Sequence, residues 1–214
     1  MAKYDEVKRS LFLEMFGDPV GNERGWEVVR LKDLFDISSG STPSRNNTEY
    51  YGGSIPWIKT GEINYNTIFR TEEYLTELGL KMSACRIYEP GSIIMAMYGQ
   101  GVTRGKVSII GAAAATNQAC AVFTPNCNEV NVQFMFSLFR QSYDHIRTLS
   151  EGGNQSNLSG RILKAHKVPL PPLSLQQSFA DRVALIDRQQ AGARAAAALG
   201  EEVFEGVMGE VFDT

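Results

Sequence analysis

The sequence predicts an α+β protein: a mixed, strand-rich globular head with a short N-terminal helix and a long C-terminal α-helix. Three observations carry this. Val7, Leu11, Phe12, Met15 and Phe16 recur at near-helical spacing until Gly17-Asp18-Pro19 stops them. From about 20 to 168, short apolar runs alternate with loops bearing Gly, Asn and Pro. After Pro169-Leu-Pro-Pro-Leu173 the chain runs from Leu175 to about Val211 without a proline, rich in Ala, Gln and Glu. The expected divisions are a helix over 1–18, a head over 19–172 and a long helix over 173–214.

Within the head, Trp26–Leu31 reads as a short strand or its lead-in. Lys32–Phe35 reads as a helical turn and Phe35–Ser38 as a strand. Gly40–Thr48 is a polar loop and Tyr50-Tyr-Gly-Gly a turn. Ile55–Lys59 is a buried strand whose Pro56 implies an edge position or a bulge. Thr71–Leu78 is expected as a short acidic helix. Ser92–Met97, Lys106–Ile110 and Thr116–Phe123 are expected as strands. Asn131–Arg147 is expected as one core-facing helix, and Gly160–Ala165 as a short one.

The long helix places Phe179, Val183, Ile186, Ala193, Ala197, Gly200, Phe204 and Val207 on or near one stripe. Small residues from Gly192 to Gly200 leave room for another helix to approach. A helix of over ~35 residues spans ~50 Å, more than such a head needs, which favours a helix–helix partner. Leu11-Phe-Leu-Glu-Met-Phe16 is echoed by Val207-Met-Gly-Glu-Val-Phe212, as in a tandem repeat cut to one unit. Amphipathic helices also resemble one another by default.

The chain has 214 residues, an ordinary 43% apolar fraction and a net charge of −3. That charge is unevenly spread. Residues 81–167 hold nine cations against four anions, while both flanks are acidic. A basic face draws phosphates even on an acidic protein. Cys85, Cys120 and Cys127, an odd number with no C-x-x-C, argue against disulfides and zinc knuckles. No apolar run reaches the ~18–20 residues of a membrane span and no signal pattern opens the chain, so a cytoplasmic, non-membrane protein is expected.

Enzymatic motifs fail on spacing. In Gly99-Gln-Gly-Val-Thr-Arg-Gly-Lys106, valine follows the lysine, so no phosphate-binding P-loop forms. Its glycines are spaced G-x-G-x-x-x-G and precede a strand, so no dinucleotide fingerprint forms either. Leu170-Pro-Pro-Leu173 lacks the polar residue and aromatic ring of an adenine methyltransferase motif. His145 and His166 read as a helix-surface residue and a strand-side polar residue. What remains is a loop offering amides, Gln100, Thr103 and Arg104 to phosphates and base edges. A second loop, Gly152–Asn157, is dense in side-chain amides and flanked by Arg147 and Arg161. Both loops also fit plain turns.

Five segments together resemble the specificity subunit of type I restriction–modification systems. They are Gly25-Trp-Glu-Val-Val-Arg-Leu31, Ile55-Pro-Trp-Ile-Lys-Thr-Gly-Glu-Ile63, Thr116-Asn-Gln-Ala-Cys-Ala121, Gly152-Gly-Asn-Gln-Ser-Asn-Leu-Ser159 and Val168-Pro-Leu-Pro-Pro-Leu-Ser-Leu-Gln-Gln177. The resemblance implies one target recognition domain followed by a spacer helix, where the usual subunit carries two such units, each reading half of a split double-stranded DNA site. It implies a homodimer or a cut-down chain, docking to methyltransferase subunits and, indirectly, to restriction subunits. Catalysis, S-adenosylmethionine, ATP and magnesium would belong to those partners; this chain would need no cofactor or metal. Lys59, Thr60, Tyr98, Gln100, Thr103, Arg104, Lys106, Asn154, Gln155 and Arg161 are the implied DNA face. The stripe from Phe179 to Val207 is the implied helix interface. The alternatives are the recognition module of a self-contained restriction or methyltransferase enzyme, and a protein-binding scaffold.

Overall fold

Backbone pairing sorts the strands into three ladders, each closed by chain segments distant in sequence. The structure, a computed structural model, describes residues 2–99, 102–149 and 157–212, without the side chains of 2, 199 and 201–212. The largest ladder has five strands in the order β2 (Phe35–Ser39), β9 (Cys120–Pro125), β6 (Ile93–Ala96), β7 (Val107–Ile110) and β4 (Thr67–Ile68). All its pairs are antiparallel except β4 on β7. Its centre is wholly apolar because both faces are covered. Ile93, Met95 and Phe123 face the helical side, while Ile94, Ala96 and Val122 face a second cluster with Ile58, Ile63 and Ile110.

The second ladder places β3 (Tyr51–Ile58) between β5 (Glu73–Leu75) and β8 (Ala115–Thr116). Pro56 thus lies in a central strand, and the register shift between Tyr51 and Ile55 is the bulge its presence implied. Trp57 N–H turns to Thr71 Oγ1 at 3.2 Å. The third ladder pairs β1 (Val28–Arg30) with β10 (Lys167–Pro169), stapling the head's entry to its exit. The one-turn α2 (Leu31–Leu34) follows β1 directly.

Four sequence expectations need correction. The turn expected at Tyr50-Tyr-Gly-Gly is strand from Tyr51, where β3 begins. Thr71–Leu78 is not one helix: Leu75 is drawn into β5 by burial against Ile55 and Trp57. Helix α3 (Glu77–Lys81) starts only after Thr76, whose side chain accepts from Gly79 N–H at 3.0 Å. Thr116–Phe123 is two strands, because Asn117 Oδ1 accepts from Ala119 N–H at 3.1 Å in an Asx turn. That turn carries the chain from β8 to β9. The Asn131–Arg147 helix breaks at Ser142 into α4 (Val132–Gln141) and α5 (Tyr143–Thr148). The break leaves α4's apolar face on the core and turns Tyr143 toward the 98–105 loop.

Helix α1 (Ala2–Phe16) and the start of α7 (Leu173–Phe212) pack on α4 through four rings. Phe12, Phe16, Phe134 and Phe179 meet with centroids 4.8–5.8 Å apart. Such offset and edge-on pairs add to the area they bury. Gln176 fixes where α7 leaves the head. Fully buried, it accepts from Asn131 N–H at 2.8 Å and donates to Pro171 O at 2.8 Å and Glu129 O at 3.1 Å. Phe179 and Val183, expected on a helix–helix surface, are instead buried in the head's own core. A side chain enclosed there leaves no surface for the helix of a second copy.

Candidate nucleic-acid interface

The 98–105 loop leaves β6 with Met97 N–H on Ala119 O at 2.8 Å and re-enters with Gly105 N–H on Ala96 O at 2.9 Å. Leu158 N–H reaches Met97 O at 3.2 Å, so the chain returning from the amide-rich loop runs beside it. The short helix α6 (Gly160–Ala165) follows, capped by Ser159 Oγ on Ile162 N–H. Tyr98 and Val102 are exposed on this rim, Thr103 is half-buried, and Arg161 is exposed on the first turn of α6. Gln100, Asn154 and Gln155 lie outside the described residues.

A guanidinium–aromatic cluster underlies the loop. Tyr143 Oη donates to Val102 O at 2.5 Å and accepts from Arg147 Nη1 at 2.6 Å. Arg104 Nη2 donates to Arg147 O at 3.2 Å, and its buried Nε–H has no partner among the described residues. Tyr65 packs edge-on to Tyr143 with ring centroids 6.2 Å apart. The Arg140 guanidinium lies 4.8 Å and the Lys106 ammonium 5.7 Å from the Tyr65 ring centre. Lys106 also donates to Asn64 Oδ1 at 2.8 Å.

Tyr65 holds a left-handed backbone, φ 61°, unusual for a ring-bearing residue. Its N–H on Val107 O at 3.0 Å fixes it to the end of β7. Burial, with Tyr143 beside it, pushes its hydroxyl up to about 12, so it stays neutral. Sequence reasoning missed Tyr65 and Tyr143 as site residues. Arg140 was visible only as part of the basic middle, and Arg147 also as a flank of the amide-rich stretch. The aromatic members come from a turn and a helix break, neither of which shows as a periodic pattern.

Lys59 sits in a different environment from the expected phosphate anchor. Its ammonium is 2.8 Å from Glu73 and 3.1 Å from Glu72, and its N–H donates to Glu62. Glu73 also takes both arms of Arg45 at 2.6 and 3.3 Å. Arg45 lies over the rings of Tyr51 and Trp57, at 4.3 and 5.0 Å. The Arg45 and Lys59 hydrogen bonds hold the Glu73 carboxyl down at about 2. Three carboxylates around two cations make Lys59 a member of an ionic lock, paired before it meets any phosphate. Thr60 begins the adjoining single turn, half-buried.

His145 and His166 also depart from expectation: they face each other, with ring centroids 5.7 Å apart. Burial first, then the neighbouring His145, lowers His166 to about 4 and keeps it neutral. Among the described residues no group of three or more His, Cys, Asp or Glu is arranged to hold a metal ion. No described helix is long and apolar enough to cross a membrane.

Beyond the head, Ile186 is half-buried and Ala193, Ala197 and Gly200 are exposed on α7. The side chains of Phe204 and Val207 lie outside the described residues. An open groove of about 580 Å³ runs between α1 and α7, lined by Val7, Leu11, Leu185 and Ile186. Lys8 and Asp187 pair across the two helices.

The profile of the Type I restriction modification DNA specificity domain matches residues 23–192. The MjaIX type I restriction enzyme specificity subunit of Methanocaldococcus jannaschii is 30% identical over 169 residues, covering 77% of this chain and 38% of its own. The HindI specificity subunit of Haemophilus influenzae is 28% identical over 168 residues, 76% of this chain and 36% of its own. The chain therefore spans just over a third of the length of these relatives. Among solved structures, the HsdS subunit from Thermoanaerobacter tengcongensis superposes with a TM-score of 0.63 at 17% identity, covering 91% of this chain and 46% of that one. The type I S subunit from M. genitalium gives 0.60 at 16%, covering 96% and 54%. At those identities the likeness is one of fold.

Proposed function

The chain belongs to the type I restriction modification DNA specificity domain family, and from that membership we propose that it is a non-catalytic module reading one half of a bipartite double-stranded DNA site. The observation that supports this reading best is the cluster of Arg104, Lys106, Arg140 and Arg147 around Tyr65 and Tyr143, beside the 102–105 limb. Cations there suit phosphates; Tyr98, Thr103 and, on the adjoining segments, Gln100, Asn154 and Gln155 suit base edges. Arg161 extends the basic rim.

In the same reading, α7 beyond Val183 is the contact to a second copy, through Ile186, Ala193, Ala197, Gly200, Phe204 and Val207. Methyltransferase subunits dock on the assembled rods, and restriction subunits join through them. S-adenosylmethionine, ATP and magnesium act on those subunits. The compartment is the cytoplasm, where the DNA is.

The test is duplex binding by the purified chain as salt is raised. Binding at low salt that is lost by ~0.3 M is expected, with a log–log slope near −0.9 per phosphate engaged. Arg104→Ala should weaken all duplexes alike and reduce the slope by about one phosphate's worth. Salt-independent binding, or none, contradicts the proposal.

A further inference from the structure

The Tyr143 hydroxyl ties the exposed loop limb to the helical side of the head. It donates to Val102 O at 2.5 Å and accepts from Arg147 Nη1 at 2.6 Å, so its donor and one acceptor position are both used. The backbone of Arg147 returns to the same limb, taking Arg104 Nη2 at 3.2 Å. Gly105, at φ 87°, closes the limb where an added Cβ would stand 3.1 Å from Arg147 Cγ and 3.6 Å from the Tyr143 ring. Lys106 N–H on Thr103 O at 3.1 Å completes the turn. Val102, whose carbonyl is held, projects its side chain outward, 64% exposed, beside the basic cluster.

We infer that Tyr143 is a positioning residue for sequence recognition, its hydroxyl presetting the Val102–Gly105 limb so that Val102 meets a base edge in a fixed place. The inference rests on the DNA-reading function proposed above. An exposed branched apolar side chain at this spot suits the thymine methyl group in the major groove. A loop already held in its binding shape need not be ordered on contact, which favours the correct duplex. Phosphate attraction needs no such hold, since it depends on charge that Tyr143 does not supply. A phenylalanine would keep the ring against Tyr65 and lose both hydroxyl bonds, the one to Val102 O and the one from Arg147 Nη1.

The test compares wild-type chain with Tyr143→Phe on duplexes enriched by the wild type from a random pool, and on one fixed unselected duplex. The expected result is about a tenfold loss of preference for the enriched duplex, the scale of one strong hydrogen bond. Affinity for the unselected duplex should fall by less than that for the enriched one, and amide exchange at Thr103–Gly105 should accelerate. An undiminished preference, or a variant whose two affinities fall together with its thermal midpoint, overturns the inference and leaves the DNA-reading function standing. A wild-type chain that enriches no sequence overturns both.

Discussion

Glu73 takes two cations at once, and its worth depends on pH in a fixed direction. Its carboxyl is held at about 2, chiefly by hydrogen bonds from Arg45 and Lys59. A carboxylate depressed on folding stabilises the protein above its ordinary range, and that contribution fades as pH falls from about 4.5 toward 2. Glu73→Gln should therefore lower the thermal midpoint at neutral pH, with the gap to wild type closing near pH 2. The effect is small, about 0.2–1 kcal/mol per partly exposed pair. Equal midpoints at pH 7 would remove the lock from the forces holding the 40–48 loop to β5. The basic character of the middle third was legible residue by residue, yet the sequence could not show which cations stay available. Lys59 and Arg104 read alike in one dimension. One meets two carboxylates; the other meets a backbone carbonyl and leaves an Nε–H without a partner among the described residues.

At the scale of elements, period and punctuation located the long segments, and tertiary contacts set their breaks. The start and long run of α7, the strands β6 and β7, and α6 all follow from apolar spacing and from Pro or Ser signals. The split of α4 from α5 at Ser142 does not, because Ser142 sits inside an uninterrupted apolar period; the structure turns there so that Tyr143 can reach Val102 O. Likewise Leu75 is decided by its partners Ile55 and Trp57, not by the acidic stretch around it. The exit of α7 rests on Gln176, which satisfies one N–H and two carbonyls inside the core. Gln176→Leu keeps the bulk and orphans those groups, so it should cost about 1–3 kcal/mol. A urea midpoint equal to wild type would show that the core closes over α7 without this anchor.

Taken as a whole, the chain has a basic rim on a strand-rich head and a helix that runs on to Phe212, past Val183, its last buried side chain among the described residues. The small residues beyond that point suit close approach by an identical helix, so Gly192→Leu is expected to convert a dimer to a monomer in sedimentation while leaving the head folded. An unchanged dimer would move the contact elsewhere. In the proposed dimer, two identical heads on paired rods impose their own symmetry on the DNA. The half-sites must then be the same sequence in inverted orientation, at a fixed separation. The most direct measurement is to co-express the chain with the proposed methyltransferase partner and map the methylated bases. An inverted repeat with a constant gap, methylated only when the chain is present, is the expected result. Methylation indifferent to the chain, or a motif without two related halves, would contradict the account.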